Sequence, residues 1–377
     1  MKIVYCIHST FNSGGMERVL TNKVNNLVQR GNQVCIITTE QQGKSHFFPL
    51  SSEVKCFDLN INYSLDNGKG ILKKGIGFLQ RQRIHKQRLK HLLLELKADI
   101  VISMFGNEAS FLPSIKDGSK KILEIHFSKY FRLQNGRQGV WKLVDRYRSY
   151  IDERIVRLYD RFIVLTEEDK TYWRNLSNIM VIPNAITFSS DKVANLIEKK
   201  VIAVGRLSYQ KGYDLLISAW QKVYAIIPDW KLEIYGSGEL YEKLLNQIQK
   251  SYLGDSIKIC NPTDHIEEVY LKSSVLVLSS RYEGFGMVLL EAMSCGVPPV
   301  AFACKCGPRD LIDDNVNGLL VEDGSVEKMA QGLITIISDN DLRQRLGREA
   351  YKRSLDFSQE RIMKMWQELF ENLLSLQ

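Results

Sequence analysis

Two doubly wound α/β domains, each built on a parallel sheet, are what this sequence predicts, and three observations predict them. Short apolar runs of strand length alternate with amphipathic stretches of helix length. The alternation restarts near residue 200, after a break at Pro183 and Asn184. A chain of 377 residues, 44% of them hydrophobic, is too long for one comfortable core and too short for three. The expected division is 1–185, 186–355 and a last helix, 356–377, that folds back on the first domain.

Taken in order, Lys2 to His8 reads as a buried strand, Met16 to Arg30 as a helix with Gly31 just past its end, and Val34 to Thr39 as a second strand. Ile100 to Met104, Lys121 to His126 and Arg161 to Thr166 are further strands, and Val181 to Ala185 is the connector. The second half gives strands Val201 to Gly205, Lys231 to Tyr235, Ser256 to Cys260, Val275 to Ser279 and Val300 to Ala303. Helices start at Tyr213 and Leu240 and span Asp264 to Lys272, Met287 to Cys295 and Arg309 to Asp313. The tail, about 325–337, 341–354 and 358–375, is helical throughout.

Composition narrows the setting. The seven cysteines are scattered and form no C-x-x-C, so reduced thiols are expected rather than disulfides or structural zinc. No run approaches eighteen apolar residues, so no membrane span is expected and the location expected is the cytoplasm. The net charge of +8 is uneven: residues 1–190 hold 29 Lys and Arg against 17 Asp and Glu, and the remainder 22 against 26. Segment 69–97 carries nine basic residues, Lys69 to Lys97, against Glu95 alone, with Ile71, Leu72, Ile76, Phe78 and Leu79 interleaved. It reads either as a solvated helix face or as peripheral contact with an anionic membrane or lipid diphosphate; nucleic acid is not expected.

Ligands of open α/β sheets bind at the carboxyl ends of the strands, so the loops there hold the candidate chemistry. Gly14 and Gly15 precede the first helix and would let the backbone approach a phosphate, or simply make a flexible turn. Arg206 and Lys211 follow the first strand of the second half; a forked guanidinium and a mobile ammonium suit a diphosphate, although two exposed loop charges would look the same. Gly236, Ser237 and Gly238 form a loop expected to offer backbone donors. In Ser279 to Pro298, Glu283 lies in a loop and Glu291 eight residues on, inside a helix. A helix starting near Gly286 would aim the N–H groups of Met287, Val288 and Leu289 at a phosphate. Glu283 would grip sugar hydroxyls and Glu291 both hydroxyls of a ribose. Glu291 stands in an apolar stretch, where an unpaired charge is costly.

With these residues in view the chain resembles retaining glycosyltransferases of family 4, of GT-B fold, over nearly its whole length. The most specific element is the Glu, seven residues, Glu pattern in YEGFGMVLLEAMSCGVP; SGGMER, GRLSYQKG, YGSGE, IPNAI and CGPRDLI followed by NGLLV support it. Asn184-Ala185 and Ala303 to Cys306 are looser matches. The resemblance implies that Gly14 and Gly15 approach the donor, Arg206 and Lys211 hold its diphosphate, Glu283 binds the transferred sugar and Glu291 the ribose. His126, closing KILEIH, matches the cleft histidine that contacts the donor sugar.

The expected activity is transfer of a hexose or N-acetylhexosamine from a nucleotide diphosphate sugar, a UDP-sugar first and GDP-mannose next. The expected acceptor is a glycan or lipid-linked glycan in cell-surface polysaccharide assembly. A nucleotide-sugar epimerase on the same fold and a non-catalytic sugar-nucleotide module are the rivals. No cofactor and no metal are expected: Asp339-Asn340-Asp341 mimics D-x-D but stands between tail helices, where such residues cap.

Overall fold

The structure, a computed structural model, describes residues 1–66, 70–134, 139–188, 190 and 192–375. Its first sheet holds β1 (Lys2–Ile7), β2 (Gln33–Thr38), β3 (Lys55–Asp58), β4 (Ile100–Ser103), β5 (Lys120–Glu124), β6 (Arg161–Val164) and β7 (Ile179–Val181), in the order β3-β2-β1-β4-β5-β6-β7. The second holds β8 (Lys200–Val204), β9 (Lys231–Tyr235), β10 (Ile257–Cys260), β11 (Val275–Leu278), β12 (Pro299–Phe302) and β13 (Leu319–Val321), in the order β10-β9-β8-β11-β12-β13. All these pairings are parallel.

Helices cover both faces of each sheet. Those around the first are α1 (Gly15–Gln29), α2 (Ile71–Leu96), α3 (Phe131–Gln134), α4 (Val140–Ile155) and α5 (Glu167–Tyr172). Those of the second half are α6 (Tyr213–Ile226), α7 (Tyr241–Lys250), α8 (Ile266–Leu271), α9 (Met287–Ser294), α10 (Pro308–Leu311), α11 (Val326–Ser338) and α12 (Asn340–Ser354), before the terminal α13 (Gln359–Ser375). Alternation along a strand sends successive side chains to opposite faces. In β1, Ile3, Tyr5 and Ile7 pack with Leu20, Val24 and Leu27 of α1, while Val4 and Cys6 pack with Leu89 and Leu93 of α2 on the other face.

Strands β3, β7 and β13 went unread in the sequence, and each is the edge of its sheet. Edge strands of three or four residues, most of them half-buried or exposed, lack the continuous apolar run that marks a strand buried on both faces. Val181, expected in the connector, is the last residue of β7.

The chain passes between the domains twice, side by side. Ile186 N–H of the outgoing connector donates to Phe357 O of the returning segment at 2.9 Å. Beyond it, Ile362, Met363, Trp366, Leu369, Phe370 and Leu373 lie on one stripe of α13 and are buried with β1 and α1. Both sheets reverse their strand order, between β1 and β4 and between β8 and β11. Those two switch points open crevices at the carboxyl ends of the strands.

Candidate active site

The second domain's side is built around one buried ion pair. Lys211 ends a 3-10 turn (Tyr209–Lys211), and its Nζ donates to Oε1 of Glu283 at 2.7 Å. Ser280 Oγ donates to the same oxygen at 2.6 Å. The two charged side chains are 16% and 6% exposed, a setting in which each needs the other. Gly212 makes the turn possible: its φ is 63°, and a Cβ there would lie 2.1 Å from Ser279 O. Tyr213 Oη lies close by, buried and without a hydrogen-bond partner among the described residues. Burial, and then the Glu283 carboxylate, push that phenol well above its ordinary range.

Arg206 stands at the rim, exposed and with no ion-pair partner among the described residues. The loop of Gly236, Ser237 and Gly238 is stacked on the Arg206 loop. A Cβ on Gly236 would meet Gly205 O at 1.9 Å, and one on Gly238 would meet Leu207 O at 2.5 Å. Leu207 N–H donates to Ser237 O at 2.9 Å, and Gly236 N–H to Cys260 O at 3.0 Å. Of the backbone donors expected from this loop, the Gly236 amide is engaged, and the glycines serve close packing of one loop on another.

Gly286, at φ 88°, opens α9. Of three amides expected to point at a phosphate, Leu289 N–H donates to Gly286 O at 2.9 Å, which leaves Met287 and Val288. Glu291 lies on the same helix, 6% exposed. Thr187 Oγ1 donates to its Oε1 at 2.7 Å and Tyr270 Oη to its Oε2 at 3.3 Å. Arg18 Nη1 reaches across from the first domain to 4.0 Å. Burial raises the Glu291 pKa, while Arg18, Thr187, Tyr270 and Lys211 pull it back. Sequence reasoning missed Arg18, Thr187 and Tyr270; only Arg18 left a signal, as the last residue of SGGMER.

On the first domain's side, Gly14 caps α1 and Gly15 begins it. A Cβ on Gly15 would meet nothing within 4 Å, whereas one on Gly14 would lie 2.2 Å from Glu17 Oε2. The first-turn acid therefore occupies the helix end beside Gly14, and only Gly15 faces open space. His126 follows β5, and its main chain presses on the loop of Glu283: a Cβ on Gly284 would lie 2.3 Å from His126 O. Its Nε2 is 3.1 Å from Oε1 of Glu124. Below the cleft, Cys306 N–H donates to Glu168 Oε2 at 3.0 Å and Glu168 N–H to Asp310 Oδ1 at 3.2 Å.

The structure thus gathers Lys211, Glu283, Gly286, Glu291, Gly15 and His126 along facing sheet edges, with Arg206 at the rim. No cluster of three His, Cys, Asp or Glu side chains suited to a metal gathers among the described residues. Asp339 caps α12, accepting from Leu342 N–H at 2.9 Å. All seven cysteines are free thiols.

The Glu291 charge carries a stability consequence. Its folded-state pKa lies above that of the unfolded chain, so its contribution is nil in acid and turns unfavourable as pH rises through that window. Glu291→Gln is expected to unfold at a higher temperature than the wild type at pH 8, the gap closing toward pH 4. A lower midpoint at pH 8 would mean that Arg18, Thr187 and Tyr270 outweigh burial.

Known proteins are similar to this chain in sequence and fold. Residues 13–189 match the family model Glycosyltransferase Family 4 and residues 187–353 the model Glycosyl transferases group 1. An uncharacterized glycosyltransferase of Haemophilus influenzae is 31% identical, over 97% of this chain and 98% of its own. A Campylobacter jejuni α-1,4-N-acetyl-D-galactosaminyltransferase, named for a diNAcBac-PP-undecaprenol-linked substrate, is 28% identical over 98% of each chain. Among solved structures, a TarM mutant of S. aureus in complex with fondaparinux, alpha-GlcNAc-glycerol and UDP superposes with a TM-score of 0.78 at 19% identity, over 98% of this chain and 99% of that one. Fold and sequence agree that the chain belongs to glycosyltransferase family 4, the retaining glycosyltransferases of GT-B fold.

Proposed function

We propose that the cleft takes a UDP-hexose or UDP-N-acetylhexosamine, with GDP-mannose the next candidate, and transfers its sugar to a glycan or lipid-linked glycan. The observation that carries this is the Lys211–Glu283 pair set beside the start of α9, with Glu291 about one turn into that helix. In this reading Glu291 receives the ribose hydroxyls, and Met287, Val288, Lys211 and Arg206 face the diphosphate. Glu283 holds sugar hydroxyls and His126 lies over the sugar. UDP in the structurally similar TarM crystal structure supports a uridine donor.

The working chemistry is a same-face displacement. The acceptor oxygen bonds to the anomeric carbon on the side from which the bond to the diphosphate oxygen breaks, and the hydroxyl proton passes to that leaving oxygen. Negative charge grows on the nucleoside diphosphate, where two cations and a helix N-terminus are already oriented. With EDTA present, thermal shift and donor turnover across UDP, GDP, ADP and their sugar conjugates are expected to single out UDP. Arg206→Ala and Lys211→Ala are each expected to slow turnover by about two to three decades. Near-normal turnover in both would overturn the assignment.

The acceptor side of this reading rests on a cavity of about 290 Å³ lined by His8, Glu40, Tyr63, Ser64, Lys74, Phe78 and Asn107. His8, Glu40 and Asn107 follow β1, β2 and β4, at the sheet edge that also carries His126. Aromatic and polar walls together suit a sugar ring. His8→Ala is expected to raise the acceptor KM severalfold and leave donor hydrolysis unchanged; an unchanged acceptor KM would place the acceptor elsewhere.

The basic segment supports a membrane-borne acceptor. In α2, Ile76, Phe78, Leu79 and Ile84 are exposed beside Lys73, Arg83 and Lys86. Lys69 lies outside the described residues. Arg81 and Arg88 instead anchor the helix, donating to Ile61 O and Leu59 O. On the same layer α4 exposes Trp141, Leu143, Tyr147 and Tyr150. No described helix is long and apolar enough to cross a membrane. The protein is expected to sediment with phosphatidylglycerol vesicles and come off in high salt, and Ile76→Asp with Leu79→Asp to stay in solution. Equal binding of the double variant would remove α2 from the contact.

A further inference from the structure

Beneath the first domain's side of the cleft lies a set of buried ionisable groups for which the displacement above has no use. Lys23 of α1, 6% exposed, pairs through Nζ with Oε1 of Glu124 at the end of β5, itself 1% exposed. The same carboxylate oxygen is 3.1 Å from His126 Nε2. Glu124 is the last residue of β5 and His126 lies in the bend just after it, their contact putting both side chains on one side of the sheet. That is the side on which α1 and α13 pack. From α13, the Trp366 ring covers the ammonium, its centroid 4.0 Å from Lys23 Nζ. Tyr5 closes the group from β1, its centroid 5.9 Å from Nζ. Tyr5 Oη, Glu124 Oε2 and His126 Nε2 are buried without an aligned hydrogen-bond partner among the described residues.

Stability gives no reason for these charges. Taking two ions out of water is expensive, and apolar residues of the same volume commonly serve a core as well or better. Burial alone would raise the Glu124 pKa, yet Lys23 and His126 more than reverse this and hold it to about 2. Burial in turn pulls the Lys23 pKa down, with Glu124 opposing it. A carboxylate kept ionised beside one nitrogen of an imidazole fixes the ring and favours the tautomer protonated on that nitrogen.

We propose that Lys23 and Glu124 are positioning residues for His126, and that Trp366 on the C-terminal helix is the cover that keeps their ion pair dry. Glu124, 3.1 Å from Nε2, favours a proton on that nitrogen and leaves Nδ1 as the nitrogen free to accept from a bound ligand. The proposal rests on the reading that His126 lies over the donor sugar. It also gives α13 a part in the reaction: the last helix is tied to the cleft through a cation–π contact and one carboxylate.

Removing one charge would strand the other, so the variant to make is Lys23→Met with Glu124→Gln, which removes the pair as a unit. It is expected to fold and to bind UDP like the wild type, with kcat down about ten- to hundredfold and the donor KM little changed. Placed on His126→Ala, the same two substitutions are expected to add no further loss. Wild-type kcat in the double variant, or an equal further loss on His126→Ala, would overturn the proposal. Full activity of His126→Ala alone would instead sink the site reading on which it rests. Trp366→Phe is expected to keep turnover and Trp366→Leu to lose it, equal turnover in the two removing the cover. Should the double variant not fold, nitrogen-15 shifts of His126 in the wild type decide: a proton on Nε2 and none on Nδ1 is expected, and a ring protonated on Nδ1 overturns the assignment.

Discussion

The contact on which the cleft depends is the Lys211–Glu283 ion pair. Neither charge is tolerable alone at its depth, and with Ser280 they satisfy one another. To bring them within 2.7 Å the chain must bend sharply after Lys211 and lay the loops after β8, β9 and β11 against each other. Gly212, Gly236 and Gly238 permit this, since at each a Cβ would fall within 2.5 Å of a neighbouring carbonyl oxygen. The pair and the glycines are one device. The charges fix the distance, and the missing side chains let the backbones reach it.

The same economy of space governs the meeting of the two domains. Gly284 lets the His126 carbonyl approach the Glu283 loop, so the distance across the cleft is set by backbone on backbone. Away from the reacting groups the contact includes polar links beside buried Leu165: Glu168 accepts from Cys306 N–H and from Arg309, while its own amide donates to Asp310. Polar contacts of this kind exchange readily for water, which suits domains that must part to release product. The two adjacent crossings at Ile186 and Phe357 leave a single place about which they can part.

How far the sequence was legible follows from what each signal measures. Central strands and their covering helices were read closely because burial on both faces writes a continuous apolar run. The edges β3, β7 and β13 carry no such run and were not read. Among the candidate site residues, Glu283 and Glu291 stand out in the sequence because a charge in an apolar or Gly-rich stretch is anomalous and the spacing specific. What the spacing cannot show is partnership. It put Lys211 on a diphosphate without revealing its bond to Glu283, and it took three amides of α9 as open when Leu289 was already bonded. Thr187, Tyr270 and Glu124 are unremarkable where they stand in the sequence and acquire meaning only from what the fold sets beside them.

Helix α1 shows why that kind of meaning resists one-dimensional reading. Within six residues it presents Arg18 to Glu291, Asn22 to Thr187 O at 2.9 Å in the connector, and Lys23 to Glu124 behind His126. Each contact is ordinary alone: a long ion pair, a side chain on a carbonyl, a buried bridge. Together they attach the proposed ribose ligand, the interdomain connector and the cleft histidine to one rigid rod. Residues four apart share a helix face, and the neighbouring position is turned toward the sheet. Any shift of α1 against its sheet must therefore move all three attachments in concert. Gln359 at the start of α13 donates to Asn22 O at 3.3 Å, so the returning chain grips the rod at the same turn. Parting of the domains would break the Arg18–Glu291 contact and bend the chain near Thr187, while the Lys23–Glu124 pair and the grip of α13 stay with the first domain, so α1 moves as part of that body.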